Sequence, residues 1–143
     1  MKPFAFRLQA VLEQRRLVEE RRREDLIRLR TVASGIREEI RALDEEMRRT
    51  CRERQDLVVQ GDLARARLAE DYRHALTVRR RDHERRLADL GEEILAARHA
   101  LLSARREHKA VETLRDRDLT AYQVEVRRQE QRDIDEIAAR RHG

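Results

Sequence analysis

From Leu26 to Met47, every residue reached by alternating steps of three and four is apolar: Leu26, Leu29, Ala33, Ile36, Ile40, Leu43 and Met47. A repeat of this kind returns to one side of a helix every seven residues, so the stripe it forms needs a partner helix along its length. Counted from Leu8, the same register passes through Leu12, Arg15, Glu19 and Arg22 before the apolar run, and through Thr50, Arg54 and Leu57 after it. The polar positions predict that the first third is held less firmly by its partner. Around the apolar run, Glu38, Glu39, Arg41, Glu45, Glu46, Arg48 and Arg49 stand at spacings that allow ion pairs along the outside of a helix.

A second seam runs through His83, Leu87, Leu90, Ile94, Ala97, Leu101, Ala104, His108 and Val111. Beyond Val111 the strict repeat fails. An inserted four-residue step is needed to reach Leu119, Tyr122, Val126, Ile134 and Ile137, and such a stutter predicts a change of twist near Leu114. Nothing between residues 4 and 142 opposes helix strongly. The one proline is Pro3, and of the four glycines only Gly35, Gly61 and Gly91 lie inside that span. Charged residues make up 44% of the chain and aromatics 3%, a balance that suits a narrow apolar stripe and not a deep core.

Between the seams, Gly61 followed by Asp62 supplies a helix stop and a new N-cap. The reading is therefore all-α: a long two-helix antiparallel coiled-coil hairpin forming one domain over residues 1–143. Its parts are a helix over about 4–59, a turn region over about 60–67 and a helix over about 68–141. Matching the two apolar zones places the midpoint near residue 67, sets Gly35 opposite Leu101 and Gly91 near Leu43, and leaves no unpaired remainder. Each arm would be roughly 80 to 100 Å long at about 1.5 Å per residue.

Several functions lose support on the same residues. The formal charge of +5 comes from 34 basic against 29 acidic residues, interspersed throughout. Arg21-Arg22-Arg23 and Arg79-Arg80-Arg81 are followed at once by acidic residues, which favours a salt-bridged face over a nucleic-acid patch. His74 and His83, like His99 and His108, are nine apart and point to different sides of a helix, and Cys51 has no second cysteine, so no metal site is expected. Carboxylates are plentiful, but a two-helix hairpin offers no dry pocket in which to shift their pKa values, so no catalytic residue and no cofactor are expected. No small-molecule substrate is expected either. The single cysteine, the lack of a long apolar run and the absence of a signal pattern point to a cytosolic protein. Phe4, Phe6, Leu8, Val11 and Leu12 favour contact with protein over contact with membrane.

Both ends of the chain resemble the FliJ family of bacterial flagellar protein-export components. At the N-terminus the similar stretch is Phe4-Ala5-Phe6-Arg7-Leu8-Gln9-Ala10-Val11-Leu12. At the C-terminus it is Val111-Glu112-Thr113-Leu114-Arg115-Asp116-Arg117, leading through Tyr122 and Glu130-Gln131 to Asp135-Glu136-Ile137-Ala138-Ala139-Arg140-Arg141. The resemblance implies a non-enzymatic stalk that inserts into the hexameric ring of the flagellar export ATPase. It also implies contact with the cytoplasmic domain of the export gate and with export chaperones, in a protein that is peripheral to the inner membrane at the flagellar base and serves motility and chemotaxis. By carry-over, Phe4, Phe6, Leu8, Arg127, Arg128, Asp135, Glu136 and Arg140 are the candidates for binding the ATPase. Leu43, Met47, Tyr72 and Leu76 are the candidates for the gate. The alternatives are a stalk of virulence type III secretion and, further off, a generic structural or nucleic-acid-binding coiled coil.

Overall fold

The computed structural model describes residues 1–143 and contains two helices, α1 (Gln9–Val59, 51 residues) and α2 (Leu63–His142, 80 residues), packed against each other with no strand. The expected helical hairpin is present, and its boundaries are sharper than the sequence suggested. α1 begins at Gln9 and not near residue 4, with the Gln9 amide donating to the Phe6 carbonyl. Pro3 biases the residue before it away from helical backbone, and residues 1–6 have no regular structure.

The turn takes three residues, 60–62, where eight were expected. Gly61 adopts a φ of 79°, a left-handed conformation open to glycine at little steric expense. Its amide donates to the Val58 carbonyl at 3.1 Å, and the Asp62 amide donates to the Leu57 carbonyl at 3.0 Å, the two-bond closure of a Schellman motif. Asp62 then starts α2: its Oδ1 accepts from the Arg65 amide at 3.2 Å and its carbonyl from the Ala66 amide. One residue ends one helix and caps the next, which is why α2 starts five residues earlier than expected. Gly61→Ala is expected to lower stability by about 1 kcal/mol, because a Cβ is strained at this φ although open space surrounds it. Thermal unfolding measures it.

The chain divides into two compact units, Glu24–His99 and Met1–Arg23 with Ala100–Gly143. In the Glu24–His99 unit the apolar seam is buried as read: Leu26, Ala33, Ile36 and Leu43 on α1, and Leu90 on α2. Ala33, Ile36 and Leu90 form a cluster lined by Leu29, Ile40, Leu87 and Ile94. The register differs from the expected one. Arg80 pairs with Asp44 at 2.6 Å and Arg54 with Glu70 at 2.7 Å, and in each pair the two residues are equally far from Asp62 along the chain. That centre brings Gly91 level with Ala33 instead of Leu43, and Gly35 level with Asp89 instead of Leu101. Matching apolar zones by their middles misplaced the centre because turn chemistry, and not zone symmetry, fixes where the chain reverses.

In the unit built from Met1–Arg23 and Ala100–Gly143, the polar stretch of the seam is tied across the helices. Arg15 reaches Glu107 at 2.6 Å. Glu19 lies 2.6 Å from His108 and 3.5 Å from Arg105. These partly exposed ion pairs bridge the polar stretch, while no residue of α1 before Leu26 is buried. The stutter is visible in the burial pattern, with Val111, Arg115 and Leu119 half-buried at two successive four-residue steps before Tyr122 and Val126. From Arg127 to Gly143 every residue is exposed, so a remainder does exist. The turn divides the helices unequally.

Candidate functional site

The exposed C-terminal part of α2 is polar in composition but apolar along one line. Val126, Ile134 and Ile137 fall on one side of a helix at 3.6 residues per turn, and the two isoleucines are 59% and 55% exposed. Some of the charges beside them are occupied within the helix. Arg128 approaches Glu125 at 3.9 Å, Gln131 donates to Asp135 at 2.9 Å, and Arg140 pairs with Glu136 one turn earlier. Arg140, Arg141 and His142 occupy the last turn, where cations suit the helix dipole. The candidates Arg127, Arg128, Asp135, Glu136 and Arg140 are thus all on an exposed helix that carries two uncovered isoleucines.

Phe6 is buried, Phe4 and Leu8 are half-buried, and none of them is a free aromatic or aliphatic finger. Phe4 lies against Tyr122 with ring centroids 5.6 Å apart and planes at 50°, a tilted arrangement favoured by ring quadrupoles. Tyr122 Oη donates to the Lys2 carbonyl at 2.6 Å. The aromatic cluster therefore forms on Tyr122. Ile134 and Ile137 stay exposed.

Of the four gate candidates, Leu76 is 1% exposed, the most completely buried large side chain of the chain, and Leu43 is also buried. Both belong to the seam, and neither reaches a surface. This corrects the sequence reading, which stopped the second seam at His83. Stepping back seven residues from His83 gives Leu76, so the signal was available. Met47 is half-buried at a shallow groove that it shares with Asp44, Arg48, Cys51 and Arg73. Tyr72 is 47% exposed, and its hydroxyl donates to the Glu46 carboxylate across the helix pair. That hydrogen bond, with some desolvation, raises the phenol above its ordinary pKa of 10.0.

Close to Tyr72, Glu70 accepts from Arg73 at 2.7 and 3.2 Å and from Arg54 at 2.7 Å. These donors, Arg73 first, lower its pKa from 4.5 to about 2. A depressed carboxylate adds stability that is present above the unfolded value of 4.5 and is lost as pH falls through about 2. Glu70→Gln is therefore expected to flatten the fall in melting temperature between those two pH values. Circular dichroism melts of both proteins across that window decide it.

Sequence reasoning did not foresee the Glu19–Arg105–His108 cluster or the anchoring role of Tyr122. The first had a signal in the polar residues that share one level of both seams. No helix of the chain is long and apolar enough to cross a membrane. Searches among curated proteins and solved structures gave no match. The family model described as the flagellar FliJ protein matches residues 4–143. The chain accordingly belongs to the FliJ family and is a component of flagellar protein export.

Proposed function

We propose that this protein is a non-enzymatic stalk that binds the hexameric ring of the flagellar export ATPase and links it to the export gate and to export chaperones. The whole chain acts as one hairpin. The unit carrying both termini enters the ATPase, and the unit carrying the turn faces the cytoplasmic domain of the gate. The observation that most supports this reading is the exposed stretch 127–143, where Ile134 and Ile137 stand uncovered among charged residues. Two exposed apolar side chains ringed by charge are what a protein partner can bury with specificity, since interfaces concentrate their energy in a few desolvated anchors.

Arg127, Arg128, Asp135, Glu136 and Arg140 frame that anchor and set its orientation by charge complementarity. Phe4, Phe6 and Leu8 are the N-terminal contribution to the same contact. On the gate side, Tyr72 and Met47 offer surface, and Leu43 and Leu76 act from beneath by holding the two helices in register. The stalk works at the cytoplasmic side of the inner membrane, attached peripherally at the flagellar base through these protein contacts.

A chain truncated after Val126 is expected to keep its cross-helix pairs but no longer co-migrate with the purified export ATPase in size-exclusion chromatography. Tyr72→Ala is expected to keep ATPase binding and lose affinity for the soluble gate domain. Undiminished co-migration of the truncated chain contradicts the ATPase assignment. Unchanged gate binding by Tyr72→Ala contradicts the assignment of the turn unit.

A further inference from the structure

The residues before α1 do not continue the helix; they fold onto α2. Lys2 gives its carbonyl to Tyr122, Phe4 lies on the Tyr122 ring, and Phe6 is buried. The rest of the segment is lightly held. Met1, Lys2, Pro3, Ala5 and Arg7 are all exposed. Keeping eight residues ordered opposes their backbone entropy with one inter-segment hydrogen bond, one ring pair and one buried side chain, so this segment belongs to the least stable part of its unit.

What it covers gives the segment a second consequence. Leu119, Tyr122 and Val126 are half-buried on α2, and Ile134 and Ile137 continue the same side of the helix without cover. The apolar side of α2 therefore carries the N-terminal segment at Tyr122 and is open beyond Arg127. A partner seated on Ile134 and Ile137 can extend towards Tyr122 only where the segment has left.

We infer that Met1–Leu8 is a release strap: in the free protein it is fastened on Tyr122, and on partner binding it transfers Phe4 from Tyr122, and Phe6 from its buried seat, to the partner. This rests on the proposed ATPase contact and adds a closed, poorly binding state of the free chain. A strap that must open first lowers the apparent affinity by the fraction of chains that are open. Loosening its anchor without altering its phenylalanines should therefore strengthen binding.

Tyr122→Phe provides that change, since it deletes the hydroxyl that bonds the Lys2 carbonyl and keeps the ring under Phe4. One hydrogen bond of ordinary net strength shifts the opening equilibrium by about twofold to tenfold. Binding of the full chain to the purified export ATPase is expected to tighten by that factor in Tyr122→Phe and to weaken in Phe6→Ala. In the free chain, a 4-fluorophenylalanine label at Phe4 should give one dispersed fluorine resonance, which moves towards the free-chain position in Tyr122→Phe. If the wild-type chain binds and Tyr122→Phe binds equally or more weakly, the strap is overturned and the stalk reading stands. If the wild-type chain and both variants all fail to bind, the stalk reading falls and the strap falls with it.

Discussion

Replacing Leu76 by alanine is expected to destabilise the hairpin by about 2–4 kcal/mol, the range seen when a fully buried leucine leaves a cavity that its surroundings fill only in part. Leu76 is 1% exposed and lies near the turn, where the neighbouring seam positions Arg73 and Arg80 send their guanidinium groups out to Glu70 and Asp44. Few apolar side chains share the load there. A domain with about 5–15 kcal/mol of total stability would lose a large part of it. Leu114→Ala, at a position 41% exposed beside the stutter, should cost less than about 1 kcal/mol. Urea unfolding followed by circular dichroism compares the two, with a lower midpoint and an unchanged slope expected for Leu76→Ala. A loss below about 1 kcal/mol at Leu76 would return that residue to the surface and revive it as a gate contact.

The double replacement Ile134→Asp with Ile137→Asp should have the opposite profile. Both side chains are exposed, so folding stability should change by no more than about 1 kcal/mol. Binding to the export ATPase should fall about thirtyfold or more if the pair is an interface anchor worth at least about 2 kcal/mol. The charge change is confined to two positions in a stretch already rich in both signs. Affinity for the gate domain, assigned to residues around Tyr72, should stay as it is. A variant that loses both affinities equally points to a general folding defect, which the unfolding curve would reveal.

The seam was legible because its period is a direct consequence of helix geometry. Leu26 to Met47 and Leu87 to Ala104 could be read as facing stripes without knowing what they faced, and the four-residue insertion after Val111 shows in the burial of Arg115 and Leu119. Gly61 and Asp62 were legible for a similar reason, since one needs a positive φ and the other offers a capping carboxylate. Register was not legible from the stripes alone. Sliding one helix along the other by a whole heptad keeps apolar residues in contact, so the choice falls to the tight turn and to specific pairs such as Arg80 with Asp44 and Arg54 with Glu70.

The candidate surfaces were legible in part. Ile134 and Ile137 continue the seam in sequence, and only the true position of the turn reveals that nothing from α1 covers them. Leu76 was assigned to a partner by the resemblance, and its place in the seam was missed because the second seam had been read no further back than His83. Tyr122 looked like one more seam residue. Its bond to the Lys2 carbonyl involves a backbone atom whose location no side-chain pattern records, and the same is true of the place where residues 1–8 fold back.

The central claim is that this chain binds the export ATPase through the exposed end of α2. ATP hydrolysis by the purified cognate export ATPase, titrated with the full-length chain and in parallel with the Ile134→Asp, Ile137→Asp variant, tests it most directly. The stalk account predicts a saturable change in hydrolysis rate with the wild-type chain and a response shifted to at least about thirtyfold higher concentration with the variant. Identical titrations for the two chains, or no response to either, would contradict it.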